Sequence, residues 1–311
     1  MKRLGLVGVG AWGQRYKKTI EGRGDCRIAA VARRSIRDES IAPGATVCDD
    51  WQALVQMAVR RDLDGVIVAT TPENQLEIAV ACATQGVPLI VEKPLGLSQA
   101  DVERVRSSLI DGRARAPFLV DYVHLWSPAY RDLRRLVDEA GGPPAIVGIE
   151  MEGCNRGPLR SFSSLYDYGP HDVSMALELV GGDAAFRLID AASTRSDSAG
   201  HCLYEVQLEL GRVPVHMRVG NGATAKSRRV AVTVGKGRQL VYDDTRQHPF
   251  KLCDGDAPVP VAPTPPLDAV LAAFLEMIDI WKRGAWVPEG RALALSARVN
   301  EILDSIAAKV R

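Results

Sequence analysis

The chain has 311 residues, of which 25% are charged and 46% hydrophobic, and its formal net charge is +1. This length predicts two domains, and the composition is typical of a folded globular protein rather than a disordered one. The near-neutral charge, without long runs of one sign, argues against a nucleic-acid or membrane-surface partner. No apolar stretch reaches the roughly 18 residues that span a bilayer, so no membrane role is expected.

The N-terminus and the cysteines favour a cytoplasmic protein without a metal site. The first apolar run is soon interrupted by Gly8, Gly10 and Gly13 and then by basic residues, which predicts a β-strand rather than a signal peptide. The 6 cysteines are scattered, with no CxxC pair and no close histidine. That spacing predicts reduced thiols rather than disulfides or metal ligands.

The first 121 residues alternate short apolar runs with amphipathic stretches. Strands are predicted at 4–7, 27–32, 65–69, 88–91 and 118–120, and helices at 13–20, 51–59, 73–85 and 99–110. Apolar strands that alternate with helices are typical of a parallel sheet covered on both faces. The sequence therefore predicts an α/β fold that begins with a doubly wound parallel domain over residues 1–121.

The pattern changes in residues 122–311, which are predicted to form a second α/β domain. After a helix at 129–140, strands follow at 145–151, 188–192, 203–210, 214–219, 229–234 and 239–242, several with period-two alternation. Such strands predict an antiparallel sheet with one face exposed or covered by helices. Residues 254–266 are rich in proline and predict a surface loop, whereas 267–282 and 292–310 show helical periodicity.

A glycine-rich turn follows the first strand and precedes the first helix. Residues 8–13 read Gly8-Val9-Gly10-Ala11-Trp12-Gly13, a GxGxxG motif. In this position Gly8 permits a tight turn, Gly10 lets the backbone approach a pyrophosphate, and Gly13 allows close packing of the helix on the strand. The motif predicts a dinucleotide site in a Rossmann domain; a purely structural glycine turn is the alternative.

The residues after the second strand predict which dinucleotide binds. NAD sites place an acidic residue there, which accepts a hydrogen bond from the ribose 2′-hydroxyl. This chain has Arg33, Arg34 and Ser35 instead. Because a guanidinium fork suits a 2′-phosphate, the sequence predicts NADP(H) rather than NAD(H) as the cofactor. The alternative is that both arginines belong to a solvated strand end.

Two further motifs supply candidate catalytic residues. Lys93, in Glu92-Lys93-Pro94, follows a predicted parallel strand at the edge where such sheets bind ligands, so it is a candidate donor or acid/base. Asp167 and His171 lie near the predicted start of a helix at 169 or 170, where they could face one cleft. Taken singly, the alternatives are an exposed lysine, a helix cap and a structural histidine.

Taken together, these motifs resemble the Gfo/Idh/MocA oxidoreductase family, which includes glucose–fructose oxidoreductases and inositol dehydrogenases. The resemblance extends over nearly the whole chain. It is carried by the glycine motif, Thr70-Thr71-Pro72, Glu92-Lys93-Pro94 and residues 167–172. It implies a Rossmann domain followed by a domain with a large, open, mostly antiparallel sheet. Because the free face of that sheet commonly mediates oligomers in the family, a homodimer or homotetramer is expected.

The resemblance also implies the roles of individual residues. Lys93 matches the family's catalytic lysine, His171 its general acid/base, and Asp167 the residue that orients the substrate or the histidine. The cofactor-binding residues predicted from the motifs and the resemblance are Gly8, Gly10, Ala11, Trp12, Gly13, Arg33, Arg34, Ser35, Thr70, Thr71, Pro72, Glu92 and Lys93. Three positions depart from the family pattern: Gln75 replaces a frequent histidine, Ser174 replaces an aspartate, and Arg33 replaces the usual acid.

Three residues of the second domain are candidate substrate contacts. His124 and Trp126 could stack on a sugar ring or hydrogen-bond to it, and Arg156 could bind an anionic group. Core packing is the alternative for Trp126, and a free surface position is the alternative for Arg156. The predicted activity is reversible, NADP(H)-dependent interconversion of a secondary alcohol and a ketone on a sugar, sugar nucleotide or cyclitol. Reduction of a C=N bond or a non-sugar carbonyl, and a non-catalytic NADPH-binding regulator, are the alternatives.

Overall fold

The computed structural model describes residues 1–32, 42–111, 116–285 and 290–310. The chain forms two compact units. The N-terminal unit consists of Met1–Asp121 and Leu267–Ala297, and the C-terminal unit of Tyr122–Pro266 and Arg298–Arg311. Residues 267–297 thus group with the N-terminal unit, whereas the sequence assigned them to the second domain. Within the described ranges, no helix combines the length and hydropathy needed to cross a membrane.

The N-terminal unit contains a six-stranded parallel sheet. In chain order its elements are β1 (Lys2–Val7), α1 (Ala11–Glu21), β2 (Cys26–Ala32), β3 (Thr46–Cys48), α2 (Trp51–Val59), β4 (Gly65–Val68), α3 (Pro72–Gln85), β5 (Leu89–Glu92), α4 (Gln99–Asp111) and β6 (Phe118–Asp121). The strand order is β3-β2-β1-β4-β5-β6, and every pair is parallel. This order confirms the doubly wound Rossmann fold. The edge strand β3 was not predicted, because three residues are too few for a periodic signal.

The carboxyl ends of these strands position the candidate cofactor residues. Every residue of β4, β5 and β6 is buried, as expected for strands covered on both faces. Crossover helices return the chain to the opposite edge each time, so the loops after β1, β4, β5 and β6 emerge along one edge of the sheet. In open α/β sheets this is the edge at which ligands bind.

A helix from the end of the chain completes the N-terminal unit. This helix, α7 (Pro266–Lys282), buries Val270, Leu271, Phe274 and Ile278. The Phe274 ring lies against Gly65, where an added Cβ would be 2.9 Å from Cζ. Since this face is apolar at helical spacing and the glycine leaves room for the ring, α7 packs as part of the N-terminal core.

The C-terminal unit contains an eight-stranded sheet. After a 3₁₀ turn at Val123–Trp126, its elements are α5 (Pro128–Glu139), β7 (Ile146–Cys154), α6 (Ser164–Val180), β8 (Phe186–Arg195), β9 (Cys202–Leu210), β10 (Val213–Gly220), β11 (Ser227–Val234), β12 (Arg238–Asp243), β13 (Leu252–Asp254) and β14 (Ala257–Pro258); α8 (Gly290–Lys309) ends here. The order is β14-β13-β12-β11-β7-β10-β9-β8. Among the described strands of this second sheet, only the β7–β10 pair is parallel, which confirms the mostly antiparallel sheet.

Helix α6 packs on one face of this sheet, against β7, β9 and β10. The prediction that it begins near residue 169 or 170 was wrong: it begins at Ser164, and the Ser163 hydroxyl caps it by accepting from the Leu165 N–H. Pro170 lies inside the helix. A proline usually marks a first helical turn, so the local rule placed the start too late.

Candidate functional site

The glycine motif forms a tight turn between β1 and α1. Gly8 has φ +91°, and a Cβ there would be 2.3 Å from the Ala69 carbonyl oxygen. At Gly13 an added Cβ would be 2.1 Å from the Gly8 carbonyl oxygen. Both positions therefore require glycine for steric reasons within the protein itself. Gly10 is different, because an added Cβ would meet nothing within 4 Å.

The amino end of α1 is open to an anion. Gly10 is its N-cap and offers no side-chain cap, and the first turn carries no acidic residue. Ala11 is exposed, and the half-buried Trp12 ring is covered by the Arg15 guanidinium at 4.4 Å. Uncapped N–H groups and the positive end of the helix dipole suit a pyrophosphate.

A cavity of about 290 Å³ lies beside this turn. Its wall includes the last residues of two parallel strands, loop residues after β1, β3 and β4, and residues of α2 and α3: Val7, Gly8, Ala32, Asp49, Asp50, Trp51, Thr70, Asn74 and Ile78. Asp49 and Asp50 are both exposed at the cavity. Asp50 caps α2 by accepting from the Ala53 N–H at 2.7 Å. The sequence analysis missed Asp49, because the short strand β3 that precedes it has no periodic signal.

The Thr70-Thr71-Pro72 turn begins α3, with Thr71 as N-cap and Pro72 as first residue. Thr70 lines the cavity. Gln75, which replaces a frequent family histidine, is 2% exposed and donates from Nε2 to the Thr70 carbonyl oxygen at 2.8 Å. This glutamine therefore holds the turn in place from inside the protein. Residues Arg33, Arg34 and Ser35, on which the NADP prediction depends, lie outside the described residues.

Glu92 and Lys93 lie at the carboxyl end of β5, and both are buried. Glu92 pairs in register with Asp121 at the end of β6, and Tyr16 of α1 donates a hydrogen bond to Asp121 Oδ2. Burial, with the charge of Asp121, raises the pKa of Glu92 well above its usual range. Burial also raises the pKa of Asp121 to about 6, against the lowering effect of its hydrogen bonds with Tyr16 and Glu92. The sequence analysis missed Asp121 and Tyr16.

In the C-terminal unit, Asp167 and His171 lie one turn apart on the same face of α6. Asp167 Oδ2 accepts a hydrogen bond from Arg160 Nε at 3.3 Å. His171 is 7% exposed. Ser174, which replaces a family aspartate, is buried and donates to the His171 carbonyl oxygen at 2.9 Å. The Ser174 hydroxyl therefore makes a hydrogen bond within α6.

His124 contacts His171 within the C-terminal unit. The two rings meet edge to face, with centroids 4.8 Å apart. His124 Nδ1 lies 3.0 Å from the hydroxyl of Tyr242 on β12. Burial raises the pKa of Tyr242, so this hydroxyl stays protonated over the working range of a protein. The sequence analysis missed Tyr242, because nothing in a strand's local pattern indicates a partner 118 residues away.

The other two predicted substrate contacts are held by neighbouring side chains. The Trp126 ring is covered by the Arg131 guanidinium, 4.7 Å from its centroid. Arg156 forms an ion pair with Asp197, in the turn between β8 and β9. Asp197 also lies 2.8 Å from His201 Nδ1. Among the residues that the structure describes, no group of three His, Cys, Asp or Glu side chains could hold a metal ion.

Known proteins match this chain in sequence. Residues 2–111 match the Gfo/Idh/MocA family, described as an oxidoreductase family with an NAD-binding Rossmann fold. Inositol 2-dehydrogenase from Rhizobium meliloti (strain 1021) is 27% identical over 185 residues, which make up 58% of this chain and 55% of that protein. The chain therefore spans about half the length of the curated relatives it matches.

Solved structures match the whole chain. A protein from Magnetospirillum magnetotacticum MS-1 superimposes with a TM-score of 0.82 at 27% identity, covering 98% of this chain and 99% of that one. A 3-ketoreductase from Actinomadura kijaniata, in complex with NADP and TDP-benzene, gives a TM-score of 0.79 at 17% identity, covering 100% and 98%. At that identity the second likeness concerns the fold alone.

Proposed function

We infer from the match of residues 2–111 that the chain belongs to the Gfo/Idh/MocA oxidoreductase family, and we propose that it uses NADP(H) to interconvert a secondary alcohol and a ketone on a polyol-like substrate. The substrate class is a sugar, a sugar nucleotide or a cyclitol. The observation that carries the proposal is the glycine turn, which leaves the amino end of α1 open beside a cavity of about 290 Å³. A dinucleotide needs both features.

The residues present fit a dinucleotide. Gly10 admits a pyrophosphate against the backbone, the N–H groups of the first turn of α1 bind it, and Thr70 contributes to the cavity wall. A bound nicotinamide would supply or accept the hydride. Preference for NADP(H) is supported by Arg33 and Arg34 in the sequence and by the NADP held in the similarly folded 3-ketoreductase.

Each catalytic role is proposed from the chemistry of the residue and its surroundings. His171 acts as general acid/base on the reacting hydroxyl or carbonyl, since imidazole titrates near neutral pH. Its ring is positioned by the edge contact with His124, which Tyr242 holds through the hydrogen bond at Nδ1. Lys93 donates to the reacting oxygen, and Asp167 orients the substrate or His171.

Cofactor preference is tested by fluorescence titration of the purified protein with NADPH and NADH. We expect tighter binding of NADPH, and loss of that preference in Arg33→Asp, because an acid repels the 2′-phosphate. Asp49→Asn is the counter-variant, because Asp49 is an exposed acid of the cavity wall whereas the neighbouring Asp50 caps α2. If NADH bound equally well or more tightly, and Asp49→Asn weakened it, Asp49 would be the ribose acceptor and the NADP assignment would fail.

Catalysis is tested by His171→Asn with the preferred cofactor and a panel of keto-sugars. We expect kcat to fall by about 10²- to 10⁴-fold, because a general acid/base contributes that much, and cofactor affinity to stay unchanged. His216→Asn is the control for loss of an exposed imidazole in β10. Because His216 lies on the sheet face that is proposed below for oligomerisation, the subunit count of this variant is compared with that of the wild type first. Turnover that survives in His171→Asn would exclude the proposed role of this histidine.

Two alternatives are distinguished by the same panel. Cofactor binding without reduction of any keto-sugar, but with turnover of an imine or a non-sugar carbonyl, would indicate the alternative reductase. Binding without any turnover would indicate a regulator. We also propose a homodimer or homotetramer through the free face of the eight-stranded sheet, because an open sheet of this size requires cover; light scattering measures the subunit count.

A further inference from the structure

Three ionisable side chains are buried together at the carboxyl ends of β5 and β6. Glu92 is 3% exposed, Asp121 1% and Tyr16 0%. Glu92 and Asp121 are register partners on adjacent parallel strands, and the Tyr16 hydroxyl donates to Asp121 Oδ2. Because side chains at paired positions of adjacent strands point to the same face, the two carboxyl groups face each other under a tyrosine. Nothing in the assigned roles of the site uses Asp121 or Tyr16.

The geometry requires a proton between the two carboxyl groups. Glu92 Oε1 and Asp121 Oδ1 are buried and have no hydrogen-bond donor among the described residues. Two ionised carboxylates are both acceptors, so neither satisfies the other, and two like charges in a buried site repel. If one carboxyl group holds a proton, it donates a hydrogen bond to the other. The buried acceptor atoms are then satisfied, and the repulsion between two negative charges is removed.

The surroundings determine which group holds that proton. Tyr16 donates to Asp121 and so favours its ionised form. The pKa of Glu92 is raised well above its usual range by burial and by Asp121, whereas that of Asp121 is raised to about 6 by burial. At neutral pH the pair therefore carries one negative charge, on Asp121, and one proton, on Glu92.

The neighbouring charge is Lys93. It follows Glu92 directly in the chain and is 8% exposed, and its positive charge lowers the pKa of both carboxyl groups. The titratable groups that face the pair are thus Tyr16 from α1 and Lys93 after β5. A single anion in a buried site attracts the Lys93 side chain without the repulsion that two anions would create.

We propose that Glu92, Asp121 and Tyr16 are positioning residues for Lys93, which share one proton and present one negative charge to its ammonium group. The inference rests on the proposed function in that Lys93 acts on the reacting oxygen. The protonation state of Glu92 and Asp121 does not depend on whether the protein turns over a substrate. Below a pH of about 6 the pair takes up a second proton at Asp121, and Lys93 loses its buried counter-charge.

The matched test variants are Asp121→Asn and Glu92→Gln. Both replace a buried carboxyl group by an amide of the same shape, but only Asp121→Asn removes the charge. Infrared difference spectra of the full chain without cofactor, wild type minus variant, detect the protonated carboxyl group. At neutral pH we expect a carboxylic-acid band in the difference spectrum of wild type minus Glu92→Gln, because the variant lacks that group. A second such band should appear on acidification with a midpoint of about 6 and be absent in Asp121→Asn.

Kinetics measure the positioning role. We expect Asp121→Asn to lower kcat above a pH of about 6, where the wild type holds the anion, and the difference in kcat to shrink below that pH, where Asp121 is protonated. The affinity for the cofactor should stay the same. Glu92→Gln should retain most of kcat, because it keeps the anion. Tyr16→Phe should raise the midpoint of the second infrared band, since Asp121 loses the hydrogen bond that stabilises its ionised form. Thermal unfolding shows that each variant is folded; if Asp121→Asn is not, Glu92→Gln and Tyr16→Phe still test the shared proton.

The outcomes are distinguishable from failure of the proposed function. Absence of the neutral-pH band in the wild type would overturn the shared proton whether or not the protein is an enzyme. Equal kcat for wild type and Asp121→Asn at neutral pH would overturn the positioning role while leaving the proton intact. If no substrate is found, the infrared spectra alone decide the proton arrangement.

Discussion

The three glycines of the GxGxxG motif are present for different physical reasons. Gly8 adopts a left-handed backbone conformation and touches the Ala69 carbonyl, and Gly13 touches the Gly8 carbonyl. Both are required by contacts within the N-terminal unit. Gly10 has an ordinary extended conformation, with φ −67° and ψ −165°, and open space around it. Contacts within the protein therefore do not require a glycine at this position, and under the proposed function the open space admits the pyrophosphate.

This difference predicts opposite effects of one substitution at two positions. Gly10→Ala should change the free energy of unfolding by less than about 0.5 kcal/mol, as at other uncrowded sites, yet weaken cofactor binding because the methyl group holds the pyrophosphate away. Gly8→Ala should lower the free energy of unfolding by about 1 to 3 kcal/mol, because its backbone conformation strains any residue with a Cβ. Thermal unfolding and fluorescence titration measure both.

Two results would contradict this account. Unchanged cofactor affinity in Gly10→Ala would mean that no pyrophosphate lies against this backbone. A marked loss of stability in the same variant would mean that Gly10 is required by the fold, as Gly8 and Gly13 are.

At the scale of elements, α6 is fixed to the sheet by a buried ion pair. Asp172 of α6 and Arg228 of β11 are 0% and 7% exposed in their side chains, and Asp172 Oδ2 lies 2.5 Å from Arg228 Nη1. Gly153 of β7 leaves the space that they occupy, since a Cβ there would be 2.0 Å from Asp172 Oδ2. Burial raises the pKa of Asp172 despite the lowering effect of Arg228. The pair therefore fixes the helix that carries His171 at some energetic cost.

Breaking this pair should be more damaging than removing it. Arg228→Met leaves a buried, unpaired carboxylate and should lower the free energy of unfolding by about 3 to 5 kcal/mol. Adding Asp172→Asn should recover much of that loss, because the amide needs no counter-charge. Arg187→Met is the control on the same sheet: its pair with Glu209 is exposed, and no measurable change is expected. Urea denaturation measures the free energy of unfolding of all three variants. If the double variant were no more stable than Arg228→Met, the unpaired carboxylate would not be the cause of the loss.

Local sequence rules explain which elements were predicted well. The strands β4, β5 and β6 are short apolar runs between helices, and this pattern is local, so their existence and parallel order followed directly. The start of α6 was misplaced because Pro170 outweighed the weaker signal of Ser163. Edge strand β3 has a single buried residue, Cys48, and so no period to read.

At the scale of the whole molecule, the N-terminal unit is discontinuous in sequence. Helix α7 returns to it after the entire eight-stranded sheet, and ion pairs of Arg23 with Asp268 and of Lys2 with Asp279, each at 2.5 Å, accompany its apolar face. Fully burying one large apolar side chain contributes about 1.5 to 3 kcal/mol. Several such residues therefore contribute as much as the net stability of a typical domain, which is about 5 to 15 kcal/mol.

We expect residues 1–121 expressed alone to be poorly folded, and the same residues joined by a flexible linker to 267–297 to fold. Phe274→Ala in the full chain should lower the free energy of unfolding of this unit by about 3 to 5 kcal/mol, because the cavity beside Gly65 is not refilled. Near-ultraviolet circular dichroism and hydrogen exchange measure the result. A stable, dinucleotide-binding fragment 1–121 would show that α7 is dispensable.

The sequence by itself determined the class of both sheets, the glycine turn and the candidate residues Lys93, Asp167 and His171, because periodicity, turn chemistry and motif spacing are local properties of the chain. The tertiary structure decided what surrounds them. Tyr16 meets Asp121 across 105 residues and His124 meets Tyr242 across 118, and α7 joins a core that begins at residue 2. Such partners are selected by strand register and by the need to satisfy buried polar groups, which depend on the folded chain as a whole rather than on any stretch of it.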